Sequence, residues 1–268
     1  MKKIAIGFVV YNPETSFLLR LQQVVDQGFD VYVFDNTPWK AEVRNFSVTS
    51  KNVKYLTTGK NVGLGFGMSS VCAQAYYSGN SILLFMDQDT IFSLETLLFI
   101  ESYYLKNSYL ADTYSAVVFS SKDRTRNVES NCFRDVDMAI NSGSLFFLNK
   151  LKDMGWHNEK YFVDCVDYEF CMRSRKMGLR IGEYICTPGF DHSTEQADRK
   201  YTIFGRQYAL RAYPSFRIAD TFKASTKLIA MAVFSGQFKF ASKLVRLLFI
   251  YIGIQIIARL LKPVGGRK

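Results

Sequence analysis

Short unbroken apolar runs alternate along the first half of the chain with stretches whose apolar positions recur every three or four residues. Ile4-Ala5-Ile6-Gly7-Phe8-Val9-Val10 predicts a first buried strand over residues 3–10. Pro13 and Glu14 open a helix in which Phe17, Leu18, Leu21, Val24 and Val25 share one face, and Gly28 closes it. A second strand over 30–36 ends in the polar pair Asp35-Asn36. A third, near 53–57, leads through Asn61-Val62-Gly63-Leu64-Gly65-Phe66-Gly67 into a helix from about Met68 to Tyr77. Ser81-Ile82-Leu83-Leu84-Phe85-Met86 then runs straight into Asp87-Gln88-Asp89-Thr90, the pattern of a strand buried on both faces of a parallel sheet. Further on, the pattern predicts a helix near 94–106, a strand near 114–120 and a polar loop or hairpin over 121–135. A helix beginning near Asp167 is expected to carry Phe170, Cys171 and Met177 on its apolar side. Strand and helix in regular alternation predict an α/β domain with a mostly parallel sheet and right-handed crossovers.

The chemistry gathers at predicted element ends. Asp87 and Asp89 fall at the C-terminal end of a buried strand, where open α/β sheets place their ligand crevice, so they are set to hold a divalent cation and, through it, a phosphate. An acidic turn that merely ends a strand has the same local sequence. Asp167 falls at a helix start, where a lone carboxylate is often a cap, but Asp164, Asp167 and Glu169 cluster there and a cap needs one acid. Gly63 and Gly65 are followed by Met68 where a dinucleotide-binding fingerprint requires a third glycine, which excludes that reading. Two uses remain for them: close backbone approach to a ligand at a helix start, or a tight loop.

Charge and cysteine usage narrow the classes. The net charge is +10 over 268 residues, yet Thr221 to Lys268 holds nine Lys or Arg and no Asp or Glu, so the remainder is almost neutral. That asymmetry argues against a nucleic-acid groove in the main domain and for a separate task at the C-terminus. There, Lys223, Lys227, Lys239, Lys243, Arg246 and Arg259 interleave with Leu and Phe, which predicts one or two basic amphipathic helices broken near Ser235-Gly236. They would lie on an anionic membrane surface, or else pack on the catalytic domain or form a homodimer. Leu247 to Ala258 is apolar but shorter than a membrane span. Five cysteines with no C-x-x-C spacing suggest neither a disulfide framework nor a zinc cluster, and a reducing compartment is the simplest inference. The start mimics a signal peptide, but its short apolar run meets Tyr11-Asn12-Pro13-Glu14 in place of a small-residue cleavage site.

Taken in order, Val10-Tyr11-Asn12-Pro13, Phe34-Asp35-Asn36, Asn61-Val62-Gly63-Leu64-Gly65, Met86-Asp87-Gln88-Asp89-Thr90, Ser142-Gly143-Ser144 and Phe162 to Glu169 with Arg173 resemble family 2 glycosyltransferases. Among these the set is most similar to bacterial rhamnosyltransferases. The resemblance covers about residues 3–212. It implies a GT-A nucleotide-sugar-binding fold over 1–215, followed by the basic helical extension at 216–268. It also implies inverting transfer from a nucleotide sugar, with Mg2+ or Mn2+. Tyr11, Asn12, Asp35, Asn61, Gly63 and Asp87 would bind the donor, Asp35 near the base. Asp89 and His192 would serve the metal, and Asp167 would activate the acceptor. Asp164, Glu169, Tyr208 and Arg211 would face acceptor or substrate. Two departures stand out: the residues after His192 are polar, and Arg211 lacks the asparagine that usually follows it. His157, beside Trp156, reads as structural.

The resemblance leans toward dTDP-rhamnose as donor and a lipid-linked saccharide of a bacterial surface polysaccharide as acceptor. The enzyme would then be cytoplasmic, peripheral on the inner face of the plasma membrane. A phosphohydrolase of the haloacid dehalogenase type also carries Asp-x-Asp after an apolar strand, but there Thr or Val stands two residues after the second Asp, whereas Thr90 follows at once. A non-enzymatic membrane-binding module is the third class, separable by failure to bind a nucleoside diphosphate with metal.

Overall fold

The computed structural model describes residues 4–39, 50–121, 132–192, 199–203 and 206–260, in two compact units that divide between Ser193 and Thr194. In the first unit, β1 (Ala5–Val10), α1 (Thr15–Asp26), β2 (Val31–Asp35), β3 (Val53–Thr57), α2 (Leu64–Tyr77) and β4 (Ile82–Asp87) follow in order. Next come β5 (Thr90–Ile91), α3 (Leu94–Lys106), α4 (Leu110–Thr113), β6 (Tyr114–Phe119), β7 (Phe133–Asp135), β8 (Ser144–Phe147), α5 (Leu148–Asp153), α6 (Val166–Lys176), β9 (Arg180–Tyr184) and β10 (Asp191–His192).

Eight strands form one sheet in the order β3-β2-β1-β4-β8-β6-β9-β7. β1, β2, β3 and β4 pair in parallel, as do β6 and β9. β8 runs antiparallel between β4 and β6, and β7 antiparallel on the outer side of β9. This is the mostly parallel α/β sheet expected. Alternation within β1 explains its two faces. Ile4, Ile6, Phe8 and Val10 enter a core with Phe17, Leu21 and Val24 of α1 and Leu97 and Ile100 of α3. The small Ala5 and Gly7 face the other way, and a Cβ on Gly7 would stand 2.6 Å from Val71, so α2 lies close on that side. The chain passes from β1 outward to β2 and β3, then returns to lay β4 on the opposite side of β1. The crevice beyond the C-terminal ends of β1 and β4 is therefore a topological switch point, the usual ligand position in such sheets.

Three expectations need correction. α2 begins at Leu64, earlier than Met68, because Gly65 and Gly67 are helical, Gly65 leaving room for a neighbouring loop and Gly67 for Val9 and Phe34 of the sheet. Met177 is exposed, since α6 ends at Lys176 and Met177 only caps it; Met172 is buried instead. Cys132 and Cys186 form a disulfide across a sequence separation of 54, so cysteine usage does not point to a reducing compartment. Pairing of β7 with β9 brings the two together, with Ile185 N–H donating to the Cys132 carbonyl at 2.9 Å. Residues 122–131 of the expected polar loop, and residues 193–198 after His192, lie outside the described residues.

The second unit holds the antiparallel pair β11 (Arg199–Ile203) and β12 (Arg206–Leu210), then α7 (Ser215–Phe234) and α8 (Phe238–Leu260). The helices pack as a hairpin that turns at Ser235-Gly236-Gln237, where Gly236 has φ of 71°. Simple two-faced amphipathicity is not what α8 displays. Phe240, Ala241 and Leu244 are buried, yet Phe249 and Ile256 point outward.

Candidate functional site

Gln88, between the two aspartates, fixes the switch-point crevice. Its side-chain oxygen accepts from Tyr11 N–H at 2.7 Å, and its amide nitrogen donates to the Tyr11 carbonyl at 3.3 Å. The end of β4 is thereby clamped to the loop after β1. From α1, Arg20 donates to the Gln88 carbonyl at 2.6 Å. Burial draws the Arg20 pKa down, while the nearby charges of Asp89 and Glu14 hold it up. From the β8 side, Ser142 Oγ accepts from Asp87 N–H at 3.3 Å and lies 2.6 Å from Thr90 Oγ1. Asp87 and Asp89 are thus held in one tight turn, both partly exposed.

Beside it, Asp35 Oδ1 accepts from Thr37 N–H at 2.8 Å, and Thr37 Oγ1 accepts from Asn12 N–H at 2.8 Å. Tyr11, Asn12 and Asp35 accordingly share one rim of the crevice. Trp39, 71% exposed, lies against Gly59. Asn36 reaches across to the glycine-rich stretch, donating to the Gly63 carbonyl at 3.0 Å and accepting from Val62 N–H at 3.1 Å. Asn61 caps the same turn by accepting from Gly63 N–H at 3.0 Å.

The glycines themselves answer a packing need. A Cβ on Gly63 would stand 2.5 Å from the Phe162 carbonyl oxygen, and one on Gly65 would stand 2.5 Å from that of Tyr161 and 2.6 Å from that of Asn158. Leu64 N–H donates to the Phe162 carbonyl. The start of α2 is therefore sewn to the loop that leads to Asp164 and Asp167.

That loop ends in Cys165, whose φ of 63° turns the chain sharply into α6. Asp167 follows in the first helical turn, its Oδ1 accepting from Tyr168 N–H at 2.8 Å. Burial of its carboxyl pushes its pKa up to about 7, with Asp87 and Asp164 adding repulsion against the hydrogen bonds that favour the anion. The structure thus brings Asp87, Asp164 and Asp167 into one electrostatic cluster. Glu169 has a different environment. Fully buried, it accepts from Arg173 Nε at 2.8 Å and from Asn158 Nδ2 at 3.0 Å, while Arg173 also binds the Met154 and Trp156 carbonyls. Glu169 braces the 154–158 segment against α6.

β10 pairs with β5 so that His192 stands opposite Thr90, next in sequence to Asp89; the His192 side chain lies outside the described residues. His157 is buried against Phe170 at 5.2 Å between centroids, and burial lowers its pKa to about 3, so it is a neutral core group. Tyr208 is part of β12 and Arg211 follows that strand, both in the second unit. Sequence reading missed Gln88, Arg20 and Thr37. Only Gln88 lay inside a motif, and nothing in its identity distinguished it from a spacer.

No protein-family model matches the chain. The dTDP-rhamnosyl transferase RfbF of Shigella flexneri is 24% identical over 197 residues, covering 65% of this chain and 63% of that relative. The chain therefore spans less than two thirds of its length. Among solved structures, S. aureus TarS superposes with a TM-score of 0.54 at 16% identity, over 85% of this chain and 39% of TarS. TarS 1–349 in complex with UDP-GlcNAc gives 0.55 at 17% identity, over 85% of this chain and 66% of that one. The fold of this chain is that of the bacterial GT-A-like glycosyltransferases its ordered motifs resemble.

Proposed function

We propose that the protein is an inverting glycosyltransferase that moves a sugar, rhamnose from dTDP-rhamnose as the specific reading, onto a lipid-linked saccharide in bacterial surface polysaccharide synthesis, such as that of an O-antigen. It would work at the cytoplasmic face of the plasma membrane. The observation that carries the reading is Asp167: a carboxylate at a helix start, with a pKa raised to about 7, beside the acids at the end of β4. A base poised near the working pH contributes roughly 10²–10⁴-fold to rate.

In this reading Asp35, Tyr11 and Asn12 seat the nucleoside, and Asn61 and Gly63 close the donor side. Asp167 takes the proton of an acceptor hydroxyl as that oxygen bonds to the anomeric carbon. The bond from that carbon to the diphosphate oxygen breaks, its electron pair leaving with the nucleotide, and attack from the opposite face inverts the centre. Among the described residues no three His, Cys, Asp or Glu side chains could enclose a metal ion. One or two carboxylates suit a cation that completes its shell with phosphate oxygens and water, so Asp89 with Asp87 would hold Mg2+ or Mn2+ in that manner, and His192, whose backbone pairs opposite Thr90, is assigned to the same ion. Such an ion would stabilise charge on the departing phosphate. Arg20 adds a fixed positive charge beside Asp89 from the protein itself. Asp164 is assigned to the acceptor side. Glu169 is assigned to the same side through its hold on the loop.

The test separates the two acids. With dTDP-rhamnose, Mn2+ and a lipid-linked acceptor, Asp167→Asn should abolish transfer yet keep the nucleotide-induced thermal shift, about 2.7 kcal/mol at a hundredfold excess over Kd. Asp89→Asn should lose the metal-dependent part of that shift. Transfer by Asp167→Asn at the wild-type rate would overturn the assignment.

A further inference from the structure

The second unit carries a surface for which the transfer chemistry has no use. Along α8, Phe238, Val245, Phe249, Ile256 and Leu260 are all exposed, Phe249 at 71%. Their spacings of seven and four residues place them in one outward stripe of the helix. Lys239, Lys243 and Arg246 recur at spacings of four and three and form a second exposed stripe beside the first. Phe240, Ala241 and Leu244 form the third, buried sector. At the hairpin turn Phe234 is 90% exposed.

We infer that the outward stripe of α8, with its flanking cations, seats the protein flat on an anionic lipid surface. Charge decides the occupant. No acid occurs from Thr221 to Lys268, so a second copy docked on the same stripe would bring two sets of Lys239, Lys243 and Arg246 together with no opposing carboxylate from this segment. Anionic headgroups supply that complement, and an apolar stripe beside a basic one is how an interfacial helix divides between acyl chains and headgroups.

By length and composition α8 could cross a membrane, so the placement of its charges and its anchoring are what favour lying. α8 has 23 residues and a mean hydropathy of 1.7 over its most apolar stretch. Three cations stand in its first nine residues, leaving too short an uninterrupted run for the roughly 20 residues a span requires. Its far end is tied down by polar bonds. Buried Gln255 accepts from Tyr213 N–H at 3.0 Å and donates to the Arg211 carbonyl at 3.0 Å. Tyr201 Oη donates to the Ala258 carbonyl at 3.1 Å, and Arg259 bonds Gln255 and the Tyr213 carbonyl. A spanning helix would have to surrender these bonds inside hydrocarbon, where nothing replaces them.

The inference deepens the membrane-face location proposed above and rests on that reading for its purpose. The experiment is co-sedimentation of the full-length protein with vesicles of phosphatidylcholine alone or mixed with phosphatidylglycerol, at low and high salt. Binding is expected only with phosphatidylglycerol and should weaken with salt. The triple variant Lys239→Ala, Lys243→Ala, Arg246→Ala should bind on the order of 100-fold more weakly, at roughly fivefold per cation. Phe249→Ser should also reduce binding, whereas Leu19→Ser, an exposed leucine of α1, should not. Melting temperature is read for every variant, and because the cation variant alters only exposed side chains, the prediction does not hang on Phe249→Ser folding. Equal binding to both vesicle types, no binding by the wild type, or retention in vesicles after alkaline carbonate would overturn the inference. A dimer in sedimentation velocity that Phe249→Ser dissolves, without vesicle binding, would assign the stripe to a second copy and overturn it equally. Nucleotide-sugar thermal shift is measured on the same samples. A lost vesicle interaction with that shift intact defeats this inference alone, and the converse defeats the transferase reading alone.

Discussion

Replacing Gly65 with alanine tests whether the α2 start really sets the position of Asp167. The new Cβ would lie 2.5 Å from the Tyr161 carbonyl oxygen and 2.6 Å from that of Asn158. An ordinary carbon–oxygen contact is about 3.3 Å, so helix or loop must yield by about 0.8 Å. Both neighbours are backbone, and rotation of a side chain cannot relieve the clash. The loop is held in turn by the bond from Leu64 to Phe162 and by Asn158 on Glu169 of α6, so displacement passes to the helix that carries Asp167. Overpacking of this kind costs about 1–3 kcal/mol, which for a folded unit near 200 residues lowers Tm by about 2–12 °C. A shift approaching 1 Å at a reacting group costs on the order of 100-fold in rate. Gly28→Ala is the control. Its φ of 74° makes alanine strained, about 1 kcal/mol, but nothing lies within 4 Å of the added carbon. Differential scanning calorimetry and a sugar-transfer assay should therefore show both variants destabilised and only Gly65→Ala slowed. Wild-type melting and rate in Gly65→Ala would refute the reasoning.

Three further outcomes follow from the site. If Asp167 titrates near 7 and must be ionised to act, kcat/KM should fall about tenfold per pH unit on the acid side, with roughly a tenth of the plateau left at pH 6; a flat profile between pH 6 and 8 would exclude it as base. The linked stability has a definite sign. The folded-state value lies above the ordinary 3.8, so the contribution is fully present below about pH 4 and is lost as pH rises through 7, and Asp167→Asn should gain relative Tm at pH 8 over pH 5. Gln88→Ala removes both bonds to Tyr11 and should weaken nucleotide affinity on the order of tenfold by calorimetric titration, whereas unchanged affinity would show that the clamp does not set the donor loop.

The sheet was legible because its central strands are buried on both faces and therefore read as continuous apolar runs with polar residues where they emerge. Asp87 and Asp167 could be found for the same reason, each standing where an apolar pattern stops. What lay hidden depends on partners distant in sequence. Arg20 occupies the polar side of an amphipathic helix, where an arginine normally faces water. Gln88 fills a position that motif spacing leaves blank. The closeness of Gly65 to the 158–161 carbonyls is a property of two segments almost a hundred residues apart, so local sequence offered only a ligand or a tight turn as reasons for glycine. The partners of Cys132 and Cys186 depended on which strand takes the sheet edge, and periodicity carries no such information. In α8 the pattern marked which residues are apolar without distinguishing those that pack inward from those left facing out.

The disulfide has a further consequence for how the chain is divided. Closure at Cys132 and Cys186 turns the segment holding β7, β8, α5, α6 and β9 into a covalent ring, with Ser142, Asp164 and Asp167 riding on it. Asp35, Asp87 and Asp89 stay on open chain outside. A backbone break within the ring leaves both pieces on one molecule, while a break between Asp89 and Cys132 leaves the two groups of acids joined by packing alone. The acid assigned as base therefore belongs to a covalently closed segment, and the pairing of β8 with β4 and β6, that of β9 with β6, and the packing around them join that segment to the acids on open chain.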